Sequence, residues 1–332
     1  MQPETRQALI TALATVSAVL VAIWLELPDP WWAAISAFVV SHADRYRLLS
    51  KGIMRVVGTI AGAFVGYELA LWTEGALVLQ CIVLFLVGFF LTRERFRSSY
   101  SYAWIMGMMV ITMLLFVSIM EPPALRAFAH SRVVEIALGV SLSTLLNAFL
   151  SGAVHEPPDF AKGPKAPLLS LNRIGVLAGC TAVAIPLVWS WLELPSMIQV
   201  AVTVLVMLDR NILASERRVR LRILGCLCGG SVGLAVVSLE LNSLLLWGAA
   251  FFVSLFFFAR IHHGEGPWAY FGTQGAFALI LTFVTGSGPP DSILPVIDRF
   301  AGIGCGVVLV LVLGAVLAPL RPEPNRMPQS VK

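Results

Sequence analysis

The sequence predicts an all-α, polytopic membrane protein of about twelve transmembrane helices, arranged as two parallel six-helix repeats about a pseudo-two-fold along the membrane normal. Three observations predict it. The 332 residues are 58% hydrophobic and 13% charged, with mean hydropathy +0.85, and soluble domains carry about 25% charged residues. The apolar residues gather into runs of roughly membrane-spanning length. The stretch Arg55-Val-Val-Gly58-Thr-Ile-Ala-Gly62-Ala-Phe-Val-Gly66 returns as Arg222-Ile-Leu-Gly225-Cys-Leu-Cys-Gly229-Gly-Ser-Val-Gly233, all four landmarks displaced by the same 167 residues.

The apolar runs fall in two sets of six. The first set covers about 9–27, 29–43, 53–72, 76–92, 101–119 and 132–151. The second covers about 174–194, 196–209, 221–239, 243–259, 268–285 and 297–318. Repeat one is thus residues 1–151, a short polar linker is 152–170, repeat two is 171–320, and a tail is 321–332. The linker holds Pro157, Pro158, Pro164, Pro167, Lys162 and Lys165, turn and solvent residues too few for a domain. The runs 29–43 and 196–209 are short of the roughly 20 apolar residues a span needs, so each is either a crossing or a re-entrant helix.

Charge placement favours crossing. If every run spans and the N terminus is inside, 20 of the 23 Lys and Arg residues are cytoplasmic, leaving Arg126, Arg132 and Arg299 outside. That bias follows the positive-inside rule and puts both termini in the cytosol. The first run lacks a basic leader and a small-residue cleavage site, so it reads as a retained helix. The offset extends from Arg6/Arg173 through the run Leu25-Glu26-Leu27-Pro28, repeated as Leu192-Glu193-Leu194-Pro195, to Arg93/Arg260, Arg132/Arg299 and Gly139/Gly306, without a gap. Six spans per repeat leave the halves the same way up, as in transporters with parallel repeats.

Gly58, Gly62 and Gly66, like Gly225, Gly229 and Gly233, share one helix face and invite close packing by another helix. Arg55 and Arg222 open these faces. They either snorkel to inner water or form a symmetric pair of cations on a central path, able to grip carboxylates with two parallel bonds. Arg132 and Arg299 break the charge rule at equivalent outer positions. Glu135 stands three residues after Arg132 and can pair with it, but Asp298 faces elsewhere on Arg299's helix, so an outer anion-binding or helix-clamping role remains open.

His42 maps onto Asp209, and the two could exchange protons near neutral pH; ordinary interfacial polar residues are the alternative. Asp44 and Glu68 have no acidic counterparts. Aromatic residues at run ends (Trp31, Trp32, Tyr100, Tyr102, Trp104, Trp268, Tyr270) suit interfacial belts, with one or two free to stack on a substrate ring. Gln199 occupies the position of Trp32 in the other half, so a site need not be symmetric.

Other chemistry is not indicated. The five cysteines lie in apolar runs and read as small hydrophobes. No phosphate loop or HExxH occurs, and the Gly302, Gly304, Gly306 series has no preceding strand. His262 and His263 read as loop residues, not a zinc site. No enzyme activity, cofactor, metal or nucleic-acid partner is expected; the basic clusters sit between membrane runs.

The order of an apolar helix, Pro30-Trp31-Trp32, a basic loop, then Arg55-x-x-Gly58-Thr59-x-x-Gly62 with Gly66 resembles the fusaric acid resistance-like (FUSC) and aromatic acid exporter family. The second copy matches at Arg222, Gly225, Gly229 and Gly233, with Cys226 where the family has Thr. The resemblance implies efflux of aromatic carboxylic acids across the inner membrane, proton coupling being natural at His42 or Asp209. It also implies a periplasmic membrane-fusion subunit as partner. Many relatives carry a cytosolic region after the sixth helix, where this chain has its short linker. Plant malate channels built on a related unit keep a passive anion channel in view, and a non-transporting assembly subunit is a third reading. A monomer or a homo-oligomer fits equally.

Overall fold

The computed structural model describes residues 2–151, 168–192, 197–207, 212–239, 241, 243–266, 268–284, 286 and 294–316. These form twelve α-helices and one short 3-10 turn, with no strand among them. They are α1 Pro3–Trp24, α2 Pro30–Val40, α3 Arg45–Thr73, α4 Leu77–Arg97, α5 Ser101–Met120 and α6 Leu125–Leu150. The second six are α7 Leu168–Leu192, α8 Met197–Met207, α9 Ile212–Val237, α10 Leu244–His262, α11 Ala269–Phe283 and α12 Leu294–Val316. Nearly all of the expected linker and the whole tail lie outside the described residues.

Local chemistry explains the bounds that hydropathy misses. α3 starts in the basic loop because Asp44 caps it, its Oδ1 accepting the N–H of Tyr46 at 2.8 Å and of Arg47 at 3.3 Å. α2 starts at Pro30, well suited to a first turn. It runs 11 residues, about 16 Å at the helical rise, and α8 has the same length. Among the described residues, eight helices are long and apolar enough to cross a membrane; α2, α8, α11 and the apolar part of α12 are shorter.

The chain nevertheless reverses through the first repeat. Gln7 of α1 donates to Ser41 just after α2, at 3.0 Å. Arg55 and Lys51 of α3 reach back to Ser36 and the Val39 carbonyl. Gly58 and Gly62 of α3 face Ala103 and Gly107 of α5, so these two run together. Gln80 of α4 meets Ser118, and Thr92 meets Met108, so α4 opposes α5. Gly175 and Gly179 of α7 lie on Phe89 and Phe85 of α4. Thus α7 opposes α4 and runs the same way as α1: the two bundles are the same way up.

Packing between the bundles is reciprocal. α4 packs on α7 as α10 packs on α1, and α5 on α8 as α11 on α2, the signature of a two-fold. The two seams differ chemically. At α4–α7, Gly88, Gly175 and Gly179 bring backbones and the Phe85 and Phe89 rings into contact. At α1–α10, Arg260 bonds Glu4 and Gln2, and His263 meets Thr11 at 2.7 Å.

The ungapped offset needs one correction. It holds between α6 and α12: Gly139 lies on Ala33 and Ser36, Gly306 on Val200 and Thr203. Between α5 and α11 the spacing is 168, because Gly58 faces Ala103 O while Gly225 faces Phe271 O, and Gly62 faces Gly107 O while Gly229 faces Gly275 O. A Cβ on Gly62 would sit 2.7 Å from that oxygen, inside ordinary contact distance, so this glycine seam fixes the register and the flanking loops absorb the extra residue. Tyr102 therefore pairs with Tyr270, and Met106 with Gln274.

A cationic cavity between the bundles

A cavity of about 1030 Å³ lies between the two bundles. Among the described residues, seven cationic side chains line it and no carboxylate does: Lys51, Arg55, Arg95 and Arg132 from the first repeat, Arg217, Arg218 and Arg222 from the second. Most positions come in pairs across the pseudo-two-fold, among them Lys51/Arg218, Arg55/Arg222, Thr59/Cys226 and, with the shifted register, Tyr102/Tyr270. Much of the rest of the wall is apolar, with Met106, Met109 and Met113 on one side and Phe277 and Leu281 at matching places opposite, though Ser101, Gln199, Thr273 and Gln274 also line it.

Arg55 and Arg222 are 4% and 5% exposed. Arg55 sits ten residues into α3, about 15 Å from its start, deeper than the apolar run alone implies. It donates from Nε to Ser36 Oγ at 3.0 Å, and from Nη1 to Tyr102 Oη at 2.7 Å and Met106 Sδ at 3.3 Å. Arg222 repeats the arrangement, donating from Nη2 to Thr203 Oγ1 at 3.1 Å and from Nη1 to Gln274 Oε1 at 2.8 Å, while its Nε is buried without a partner. Neither snorkels to headgroups. Each is held only by neutral acceptors, and no carboxylate pairs with either among the described residues.

Arg132 is the contrast. It lines the same cavity and is 1% exposed, but it bonds Asp29 Oδ2 and lies 3.0 Å from Glu135 Oε2. The rings of Phe128, Trp32 and Trp31 surround its guanidinium at 4.6, 5.2 and 5.9 Å. The backbone N–H of Asp29 also donates to Glu135 Oε1 at 2.9 Å. The group thus clamps the start of α2 to α6. At the 167-residue offset both carboxylates are lost, to Ser196 and Gly302. The side chain of Arg299 lies outside the described residues.

Trp32 and Gln199 both line the cavity. Trp31 and Trp32 are buried and stacked, with centroids 4.3 Å apart, so they are not the lipid-facing belt their position suggests. His42 is not on the wall; its Nδ1 accepts the N–H of Asp44 at 3.0 Å, and burial with Arg47 nearby lowers its pKa. Asp209 lies outside the described residues. The glycines Gly58, Gly62, Gly66, Gly225, Gly229 and Gly233 all lie at the α3–α5 and α9–α11 seams.

The structure adds residues that sequence reading passed over. Lys51 donates to the Val39 carbonyl at 2.7 Å and lines the cavity; its pairing with Arg218 is readable at the repeat offset. Gln274 is visible as Arg222's partner only once the α11 shift is known. His262 reaches Thr273 and His263 reaches Thr11, each at 2.7 Å. No metal-holding cluster of His, Cys, Asp or Glu occurs among the described residues.

Two like-oriented helical bundles of long apolar helices around a cationic cavity make this a multi-pass membrane protein. The chain belongs to the fusaric acid resistance protein family: that family's sequence profile matches residues 4–156, and a fusaric acid resistance protein-like profile matches residues 181–313. It is 26% identical over 151 residues, 42% of its length and 23% of the relative's, to "p-hydroxybenzoic acid efflux pump subunit AaeB" of Musicola paradisiaca. It is 30% identical over 141 residues, 41% of its length and 21% of the relative's, to "Uncharacterized transporter YdhK" of Escherichia coli strain K12. These matches thus span less than a quarter of the relatives' length. No solved structure matches the chain.

Proposed function

We propose that the chain is a secondary transporter that exports aromatic carboxylates or similar organic anions across the inner membrane, coupled to protons. One observation carries the reading: Arg55 and Arg222 are buried on a shared cavity wall with no carboxylate partner among the described residues, while Arg132 on the same cavity has two. A buried guanidinium without a counter-charge is costly, and in this reading the substrate's carboxylate supplies that charge. Its carboxylate accepts from the free N–H groups of one or both arginines, and its ring lies on Trp32 and the methionines of α5. The basic end, with both termini, faces the cytosol, where Arg217 and Arg218 attract anions to the mouth. His42 and Asp209 are the groups proposed for proton exchange. The relatives' printed name, an efflux pump subunit, supports a further subunit as partner, here a periplasmic adaptor.

The test is flux in proteoliposomes loaded with a radiolabelled aromatic acid. Saturable transport that an uncoupler abolishes, and that Arg55→Gln with Arg222→Gln removes at normal expression, is the expected result. Large unitary currents in planar bilayers would make it a channel. Unchanged acid tolerance in cells carrying the double variant would leave only an assembly role.

A further inference from the structure

A second cavity, of about 870 Å³, lies on the opposite side of the α3–α5 seam from Arg55 and opens on the outer surface of the bundle. Gly58, Gly62 and Gly107 form its floor, and Val57, Leu91 and Ile111 line it. In the second repeat the same place is filled by protein. Phe258 stands where Leu91 stands and Phe271 where Ala103 stands; their rings pack 6.5 Å apart, and Phe258 presses on Gly275, the counterpart of Gly107. In the first repeat a Cβ on Gly107 would meet only Gly58 O, at 3.3 Å. One bundle closes this space with its own rings; the other leaves it open.

We propose that the first-repeat cleft holds an acyl chain of one phospholipid from the leaflet at the basic end. Its chemistry is graded as a lipid requires. Tyr46, Ser50, Tyr100 and Trp104 line only that end, at headgroup level. The deeper wall, from Ile53 to Val65 and Ile111, is wholly apolar, and Ile53, Val57 and Val65 are exposed to the bilayer. Arg47 and Arg97 stand at the same end; each lies near one carboxylate, Asp44 at 3.9 Å and Glu94 at 3.5 Å, but with 61% and 62% of their side chains exposed their outer N–H groups are placed to meet a phosphate. An apolar cleft facing hydrocarbon gains packing from a chain that fills it. The lipid lies behind the substrate cavity, so it is independent of what that cavity carries.

The second repeat supplies the test. Leu91→Phe with Ala103→Phe copies its packing into the first. Wild type and variant are released from nanodiscs of mixed anionic and zwitterionic phospholipid and weighed by native mass spectrometry. Wild type is expected to keep one phospholipid at energies that strip the rest, and the folded variant to lose it at least severalfold more readily. Equal retention by the two overturns the proposal. A phospholipid with a diazirine on its acyl chain, photolysed with wild type, covers the case of a misfolded variant. Adducts on residues 46–65 and 100–111 support the site; evenly spread adducts, or none on these residues, overturn it.

Discussion

Arg55 gives its Nε–H to Ser36 Oγ across 3.0 Å, and the bond recurs in the second repeat from Arg222 to Thr203 at 3.1 Å. A hydroxyl on the short helix orients each guanidinium toward the cavity without neutralising it. That leaves both charges available to an anion.

Replacing Arg222 by Gln should weaken anion binding by roughly 10–100-fold, since a hydrogen bond to a charged group contributes about 1.5–3 kcal/mol. The melting temperature should hold or rise, because a buried unpaired charge is removed. Arg222→Lys should restore little, because a lysine lacks the planar fork. Calorimetric titration with an aromatic acid, beside a thermal melt, reads both effects; a large fall in melting temperature would instead mark Arg222 as a structural residue.

Glu135→Ala should do the reverse. It breaks one of Arg132's two buried ion pairs and leaves that guanidinium with Asp29 alone, a loss of up to about 3–5 kcal/mol. Glu135→Leu combined with Arg132→Met should recover much of it. Denaturation in detergent measures the stability, and a neutral Glu135→Ala variant would refute the clamp.

Glycine positions should split by what faces them. A Cβ on Gly139 would overlap the Ala33 carbonyl, whereas nothing lies within 4 Å of one on Gly304. Gly139→Ala should cost about 1–3 kcal/mol or abolish folding through overpacking. Gly304→Ala should gain up to about 1 kcal/mol of helix propensity. Similar melting temperatures for the two would contradict the α2–α6 packing.

Acid should loosen the α1–α10 seam. Thr11 Oγ1 donates to the Gln7 carbonyl at 2.8 Å and shares a hydrogen bond with His263 Nε2 at 2.7 Å. Burial, then His262, His42 and Lys51, push the His263 pKa down from 6.5 to about 3. Above pH 6.5 native and unfolded chains are both neutral there and the group has no effect. Below it the unfolded chain takes a proton the native one refuses, so stability falls as pH drops toward 3. His263→Gln should flatten the melting curve across that window; an unchanged pH dependence would exclude His263 as its source.

Most of the architecture was legible because it is written in composition and repetition. Long apolar runs give the helices, and the matched arginines and glycines give the two-fold. Helix starts were not, since the Asp44 cap builds α3 in a polar loop that hydropathy ignores. Nor was the slip of α11, which follows from where Gly229 meets the Gly275 carbonyl, a contact between elements that no linear offset records. In the site, Arg55 and Arg222 stood out as isolated charges, and Glu135 as Arg132's neighbour on one helix face. Asp29 did not, because its approach to Arg132 depends on how α2 docks. Gln274 was hidden for the same reason as the slip.

The unequal seams carry a mechanical consequence. Glycine backbones against Phe85 and Phe89 resist sliding only weakly, because van der Waals contact has little direction. The Arg260–Glu4 and His263–Thr11 bonds are directional and yield only by breaking. Under the proposed transport, the α1–α10 edge should act as the pivot and the α4–α7 edge should sweep the wider arc. Spin-label distances across the two edges should then change unequally, with the larger excursion at α4–α7.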